Sequence, residues 1–214
     1  MQLCKICSAL TTTINDHKKE LRYYRCSSCG FVYLDDSFMV DKDREKRQYD
    51  QHNNSLENKG YVEMFETFID DAIVPYMKNI QTALDFGSGP EPVFSKLLER
   101  RGLEVDIYDI YFSPKKVYED KKYDLISSTE VFEHLSKPME VLEELVSSLN
   151  SNGYVALMTK FPPSDDKEFL AWWYRRDPTH ISFFTPKSFE VMAKKVGLKV
   201  LKTLNNNVVV FQKC

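Results

Sequence analysis

The stretch Ala83-Leu84-Asp85-Phe86-Gly87-Ser88-Gly89-Pro90-Glu91-Pro92 places a carboxylate, two glycines and the start of a helical pattern side by side. Its interleaved apolar residues predict a buried strand over 82–86 that leads through Asp85 into a tight turn. Gly87 and Gly89 allow a ligand close to the backbone, with a helix N-terminus behind them. A dinucleotide fingerprint would put a third glycine at position 92, which is Pro92, and would not carry so early an acid. Asp85 suits a ligand with a cationic amino group, which points to the methionine end of S-adenosylmethionine. Asp85, Gly87, Ser88 and Gly89 are therefore candidate cofactor contacts. A Gly-x-Gly turn alone equally describes an ordinary strand–helix connection, so the neighbouring motifs decide between the two.

Asp109 lies 22 residues past Gly87, at the end of a second predicted strand over 103–110. An acid at the end of the second strand meets the hydroxyls of an adenosine ribose; the bland alternative is an Asp that caps its own turn. Glu130-Val131-Phe132-Glu133-His134-Leu135 follows a third buried run, 123–128, so Glu130, Val131 and His134 are candidate cofactor contacts at the same crevice. His134 reads either as a structural hydrogen-bonder or as a base. The segment 161–184 is too long and too decorated for a plain connection, with Trp172-Trp173-Tyr174-Arg175-Arg176-Asp177 and His180. Its tryptophans and arginines could stack on a planar or anionic substrate, or pin the loop to the sheet. His180, with Asp177 three residues away, is the first candidate for a general base. Tyr49 and His52 sit in a polar stretch that is either a plain loop or a cap over the ligand, with Tyr49 a candidate cofactor contact and His52, like His134, a base behind His180.

Four of the five cysteines fall at the N-terminus as Cys4-x2-Cys7 and Cys26-x2-Cys29, with 18 residues between the pairs. Two such knuckles complete a tetrahedral zinc site. With all four positions taken by thiolates, the zinc is structural. Two disulfides are the alternative, disfavoured in a chain without an export signal. Residues 21–25 and 31–33 read as strands of a small ribbon.

The elements that must position these groups follow from periodicity. Tyr61, Met64, Phe65, Phe68, Ile69, Ala72, Ile73 and Tyr76 recur at helical spacing. Further helices are expected over 92–101, 138–149 and 185–196, and a buried strand over 154–159. Residues 110–122 leave barely enough room for a helix and a strand, so a turn with a short strand near 116–118 is expected. Asn205-Asn206 between apolar runs predicts an antiparallel C-terminal hairpin, because asparagine tolerates positive φ. Alternation of strands and helices gives an α/β class with a doubly wound, mostly parallel sheet. The chain divides into a ribbon (1–38), a linker and cap segment (39–60) and the main domain (61–214).

Composition is that of a globular protein, with 214 residues, 43% hydrophobic and 29% charged. A net charge of −3 gives no global attraction to nucleic acid. No apolar run is long enough to span a membrane, and the N-terminus has no apolar signal core, so a cytoplasmic location is expected.

Taken together, Asp85-x-Gly87-x-Gly89, Asp109, Glu130 to Leu135 and Asn152-Gly153-Tyr154 resemble class I S-adenosylmethionine-dependent methyltransferases across roughly residues 45–214. More narrowly, the chain resembles small bacterial members with an N-terminal zinc ribbon, which show stretches similar to His52 to Ser55 and Trp173 to His180. The resemblance implies a seven-stranded sheet with a reversed last strand, Asp85, Gly87 and Gly89 at the methionine end, and Asp109 on the ribose. It departs at Glu91, where many members have a third glycine; a carboxylate there suits the helix dipole but would repel the cofactor's own carboxylate. The expected activity is methyl transfer, with a small-molecule acceptor favoured by the acidic pI and the aromatic loop. The alternatives are an RNA or protein acceptor gripped by the ribbon, or a binding module that no longer methylates.

Overall fold

Short β-branched and aromatic stretches open the chain as β1 (Thr11–Asp16), β2 (Leu21–Cys26) and β3 (Val32–Leu34), an antiparallel meander in the computed structural model. The structure describes residues 2–50 and 55–214. The sequence reading passes over β1, because the Thr11-Thr12-Thr13 run shows no alternation; only Ile14 and Asp16 turn inward.

The charge-mixed segment that follows contains helix α1 (Lys42–Tyr49), whose N-cap Asp41 accepts from the Arg44 amide. Helix α2 (Lys59–Ala72) buries Phe65, Phe68, Ile69 and Ala72 on one face. The periodic pattern continues past Ala72, but Pro75 falls there and the chain passes into a 3-10 turn, Val74–Asn79.

The main sheet is built from β4 (Thr82–Phe86), β5 (Glu104–Tyr108), β6 (Tyr123–Thr129), β7 (Leu149–Met158), β9 (Leu198–Leu204) and β10 (Val208–Lys213). Their order is β5-β4-β6-β7-β10-β9. The first four are parallel, and β10 runs antiparallel to both of its neighbours. Asn205 and Asn206 form the hairpin turn with φ of 50° and 56°, the left-handed conformation their side chains tolerate. Helices α3 (Val93–Glu99), α4 (Pro138–Ser147) and α6 (Pro186–Lys195) supply the crossovers. A short helix, α5 (Asp166–Ala171), and strand β8 (Ser182–Phe183) lie in the decorated segment.

Two details differ from expectation. The described sheet has six strands where the resemblance implies seven, and no strand forms near 116–118. The connection after β5 is too short for a crossover helix and a further strand. It folds instead as a loop closed by the Asp109–Ser113 bridge, with Tyr118 buried beneath it. The second difference concerns the end of the helix expected over 138–149. α4 stops at Ser147, β7 begins at Leu149, and the pairing with β6 shifts register between Tyr123 and Leu125. Asn152 sits in that irregularity at φ 60°.

The ribbon continues into the decorated segment. β3 pairs with β8 through Val32–Phe183 and Tyr33–Ser182, giving a four-stranded sheet β1-β2-β3-β8. Cys4, Cys26, Cys29 and Phe31 share an apolar core with Phe86, Phe132, Phe184 and Phe189. The opposite face of the main sheet packs on α2 and α3 through Phe65, Phe68 and Phe94.

Candidate functional site

The carboxyl ends of β4, β5 and β6 open onto a cavity of about 1160 Å³. Asp85, Gly87, Ser88, Gly89, Asp109, Glu130, Val131, His134, Asp177, His180 and Tyr49 all contribute to its wall. Residues from five separate stretches of sequence thus meet at one place. His52 lies outside the described residues.

At the β4 end, Asp85 is 1% exposed. Its Oδ2 accepts the Ser95 hydroxyl at 2.7 Å, while its buried Oδ1 has no hydrogen-bond partner. Burial, reinforced by the Asp109 charge and opposed by Ser95, pushes this carboxyl up to about 7. Gly87 has φ 90°, and a Cβ there would lie 2.1 Å from Val131 Cγ2, so the protein's own packing demands glycine. The amides of Gly87 and Ser88 donate to Tyr108 O at 2.7 and 3.1 Å. Asp109 meets both descriptions given for it. Its Oδ1 caps the following turn by accepting from Tyr111 and Phe112 amides at 2.9 and 3.0 Å, and its Oδ2 accepts the Gly89 amide at 3.0 Å at the cavity wall. Glu91 is exposed and is not part of the cavity wall.

The opposite side is polar and partly buried. Glu130, at φ 54°, and Glu133 share the Tyr174 hydroxyl, which donates to Glu133 Oε1 and lies 3.0 Å from Glu130 Oε2. Glu133 is fully buried and its Oε2 has no partner. Burial raises the Glu130 carboxyl, and burial together with the Glu130 charge raises Glu133 well above the usual range. His134 Nδ1 is 3.0 Å from Thr179 O, and His180 Nδ1 is 2.7 Å from Tyr174 O. A carbonyl can only accept, so each Nδ1 carries a proton, and in the neutral form of either ring Nε2 is the basic nitrogen. The two rings meet edge to face with centroids 4.7 Å apart, and Tyr49 packs on His134 at 5.1 Å. Asp177 accepts from Thr179 and from Gln48 Nε2. Burial works against its ionisation, but Thr179 and the charges of His180 and His134 hold the carboxyl below the usual range.

The decorated loop divides its aromatic residues. Trp172 packs on Tyr174, Phe183 and Phe169, pinning the loop, whereas Trp173 is 60% exposed and lines the cavity beneath Lys160. The arginines divide likewise. Arg176 faces the cavity, while buried Arg175 donates to Asp16 Oδ2 at 2.6 Å and to Tyr23 Oη at 3.3 Å, fastening the loop to the ribbon. The sequence reading did not single out Tyr174, Glu133 or Glu45 as site residues. Glu45 accepts the hydroxyls of Tyr49 and Tyr111, both at 2.8 Å, and so joins α1 to the loop after β5. The one available signal was the Glu-x-x-Glu-His spacing of Glu130, Glu133 and His134, which puts the acids on one short turn.

In the ribbon, the Sγ atoms of Cys4–Cys29, Cys7–Cys26 and Cys7–Cys29 are 3.7, 3.4 and 3.7 Å apart. A tetrahedral zinc with bonds near 2.3 Å needs its sulfurs roughly 3.8 Å apart, so the cluster fits the ion. The amides of Ser28 and Cys29 point at Cys26 Sγ, which steadies a thiolate there.

A family described as a methyltransferase domain matches residues 40–203. No curated protein matches the sequence. Among solved structures, magnesium protoporphyrin IX methyltransferase from Synechocystis PCC 6803 with bound SAM aligns over 84% of this chain and 94% of its own, at TM-score 0.55 and 12% identity. An O-methyltransferase family protein from Burkholderia thailandensis aligns over 79% and 62%, at TM-score 0.57 and 11% identity. A SAM-dependent methyltransferase from Thermotoga maritima, described as a possible histamine N-methyltransferase, aligns over 78% and 98%, at TM-score 0.52 and 12% identity. At these identities the likeness is one of fold. No helix among the described residues is long and apolar enough to cross a membrane.

Proposed function

The chain belongs to the methyltransferase-domain family, and from that premise we propose that it transfers a methyl group from S-adenosylmethionine to a small-molecule acceptor inside the cavity. The observation that carries the reading is the pair of acids on adjacent strand ends: Asp85, with a buried oxygen lacking a partner, and Asp109, braced against the glycine loop. A cationic amino group would satisfy the orphaned oxygen and favour the ionised form of Asp85. Asp109, one strand over, would accept from the ribose hydroxyls. When bound, S-adenosylmethionine supplies a methyl group on a sulfonium, so its leaving group needs no activation by the protein.

What remains for this chain is alignment and proton management. Trp173, Lys160 and Arg176 offer an apolar face and two positive charges to a planar or anionic acceptor. His134 and His180 present basic nitrogens to an acceptor that must lose a proton, with Asp177 close enough to favour an imidazolium electrostatically. The aromatic lining of the cavity, with Tyr49, Tyr108, Tyr111, Trp173 and Tyr174, favours a metabolite over a polymer. The ribbon cysteines would hold a structural zinc and so support the loop that carries these residues.

The test is a screen for S-adenosylhomocysteine production across a metabolite collection and an RNA pool. Turnover with a metabolite, abolished in His180→Ala, supports the proposal. Turnover on RNA alone, with salt-dependent binding, would overturn the acceptor class.

A further inference from the structure

We propose that Glu133, His134 and His180 form a second metal site, which takes a divalent first-row transition ion and holds the acceptor's oxygen on it. One carboxylate oxygen of Glu133 and one ring nitrogen from each histidine lie within 4.8 Å of one another. Bonds of about 2.1 Å place the ligands of such an ion roughly 3–4 Å apart, so modest side-chain rotations close the set.

Two observations beyond the clustering point to an ion. Glu133 is fully buried, and its Oε2 has no hydrogen-bond partner even though Tyr174 donates to Oε1. A buried carboxylate oxygen without a donor is costly unless a cation comes to it. In addition, both histidines use Nδ1 on backbone carbonyls, at 3.0 and 2.7 Å. That is the outer support metal-bound imidazoles commonly have, and it presents Nε2 as the ligand atom.

Two imidazoles and one carboxylate suit Zn²⁺, Fe²⁺ or Co²⁺, whereas Mg²⁺ and Ca²⁺ favour oxygen shells. The ribbon cluster saturates its ion with four thiolates. This set offers three protein ligands, and both histidines line the cavity, so the remaining positions lie on the acceptor's side. An acceptor hydroxyl, or a hydroxyl beside a carbonyl, would coordinate there. The ion lowers the hydroxyl's pKa, the proton leaves to solvent, and the oxygen is held as an anion. His180 and His134 then act on the acceptor through the ion instead of taking its proton themselves. The inference rests on the methyltransferase reading of the cavity and narrows its acceptor to a chelating oxygen nucleophile.

The test is a Co²⁺ titration of the zinc-loaded protein followed by visible absorption, with calorimetry of S-adenosylmethionine on the same samples. The expected result is a set of d–d bands saturating at one equivalent without a sulfur-to-cobalt charge-transfer band. In Glu133→Gln and His180→Asn, both checked for an unchanged melting temperature, the midpoint should rise at least ~10-fold. Absence of the bands, bands accompanied by sulfur charge transfer, or unchanged midpoints in both variants would overturn the metal site. Intact Co²⁺ binding with no S-adenosylmethionine heat would overturn the methyltransferase reading and the acceptor role, and leave the metal site supported.

Discussion

The half of the cavity assigned to the cofactor comes from one stretch of chain, Asp85 to Tyr111, and its groups are tied together by that stretch's own amides through Tyr108 O and Asp109. The half we propose for the acceptor gathers Lys160 and the loop from Trp173 to His180, together with Tyr49, Glu130 and His134, which the sequence suggests as cofactor contacts. It is fastened to the ribbon by β3–β8 pairing and by the Arg175–Asp16 ion pair, whose side chains are 4% and 6% exposed. The first half is preorganised by local backbone; the second depends on an appendage far away in sequence. Damage to the ribbon should therefore fall on the acceptor side more heavily than on the cofactor side.

The strongest challenge to this contrast is removal of the ribbon metal. Structural zinc contributes on the order of 10 kcal/mol to small zinc folds, and here the cysteines share a core with the main sheet. Chelation, or Cys29→Ser, should lower the melting temperature sharply and abolish turnover. An unchanged melting temperature would remove the structural role.

Arg175→Met separates the halves more cleanly. It strands Asp16, which burial opposes but which Arg175 and the Lys18 and Lys19 amides hold below the usual carboxylate range. Breaking a buried pair costs about 3–5 kcal/mol. Chemical denaturation should show that loss, with acceptor KM raised and S-adenosylmethionine affinity changed less than about 2-fold by the locality argued above. Equal losses of both affinities would contradict the division.

On the cofactor side, Asp85 sets a pH signature in the free protein. Its carboxyl moves from 3.8 to about 7 on folding, so between those values the native state keeps a proton that the unfolded state has released. Stability then declines as pH rises from about 4 to about 7, by at most about 4 kcal/mol, and the cost is fully present above that window. Asp85→Asn should flatten this slope in denaturation measured at several pH values. Persistence of the slope would assign it to other groups.

Trp173→Ala gives the smallest expected effect on folding, because the side chain is 60% exposed. Stability should stay within about 0.5 kcal/mol. Loss of one aromatic contact with the acceptor should raise its KM roughly 2–10-fold. No change in KM would take Trp173 out of the acceptor site.

The same contrast explains what the sequence revealed. Asp85, Gly87, Gly89 and Asp109 were legible because strand ends and glycine turns announce themselves within a few residues, and the Asn205-Asn206 hairpin was legible for the same reason. Glu133 and Tyr174 were not, since each acquires its partner only when residues 41 positions apart come together. The β3–β8 pairing is equally long-range, and no local pattern in a two-residue strand signals it. Pro75 and the polar run Asn150 to Asn152 moved element boundaries because they interrupt periodicity without ending the surrounding structure.

The central claim is that Asp85 and Asp109 hold the two ends of S-adenosylmethionine. Calorimetric titration of the wild type, Asp85→Asn and Asp109→Asn tests it directly. Hydrogen bonds to charged groups contribute about 1.5–3 kcal/mol, so each substitution should weaken binding roughly 10–100-fold while leaving the fold intact. A wild-type protein that takes up no S-adenosylmethionine, or variants that bind it as tightly as the wild type, would contradict the account.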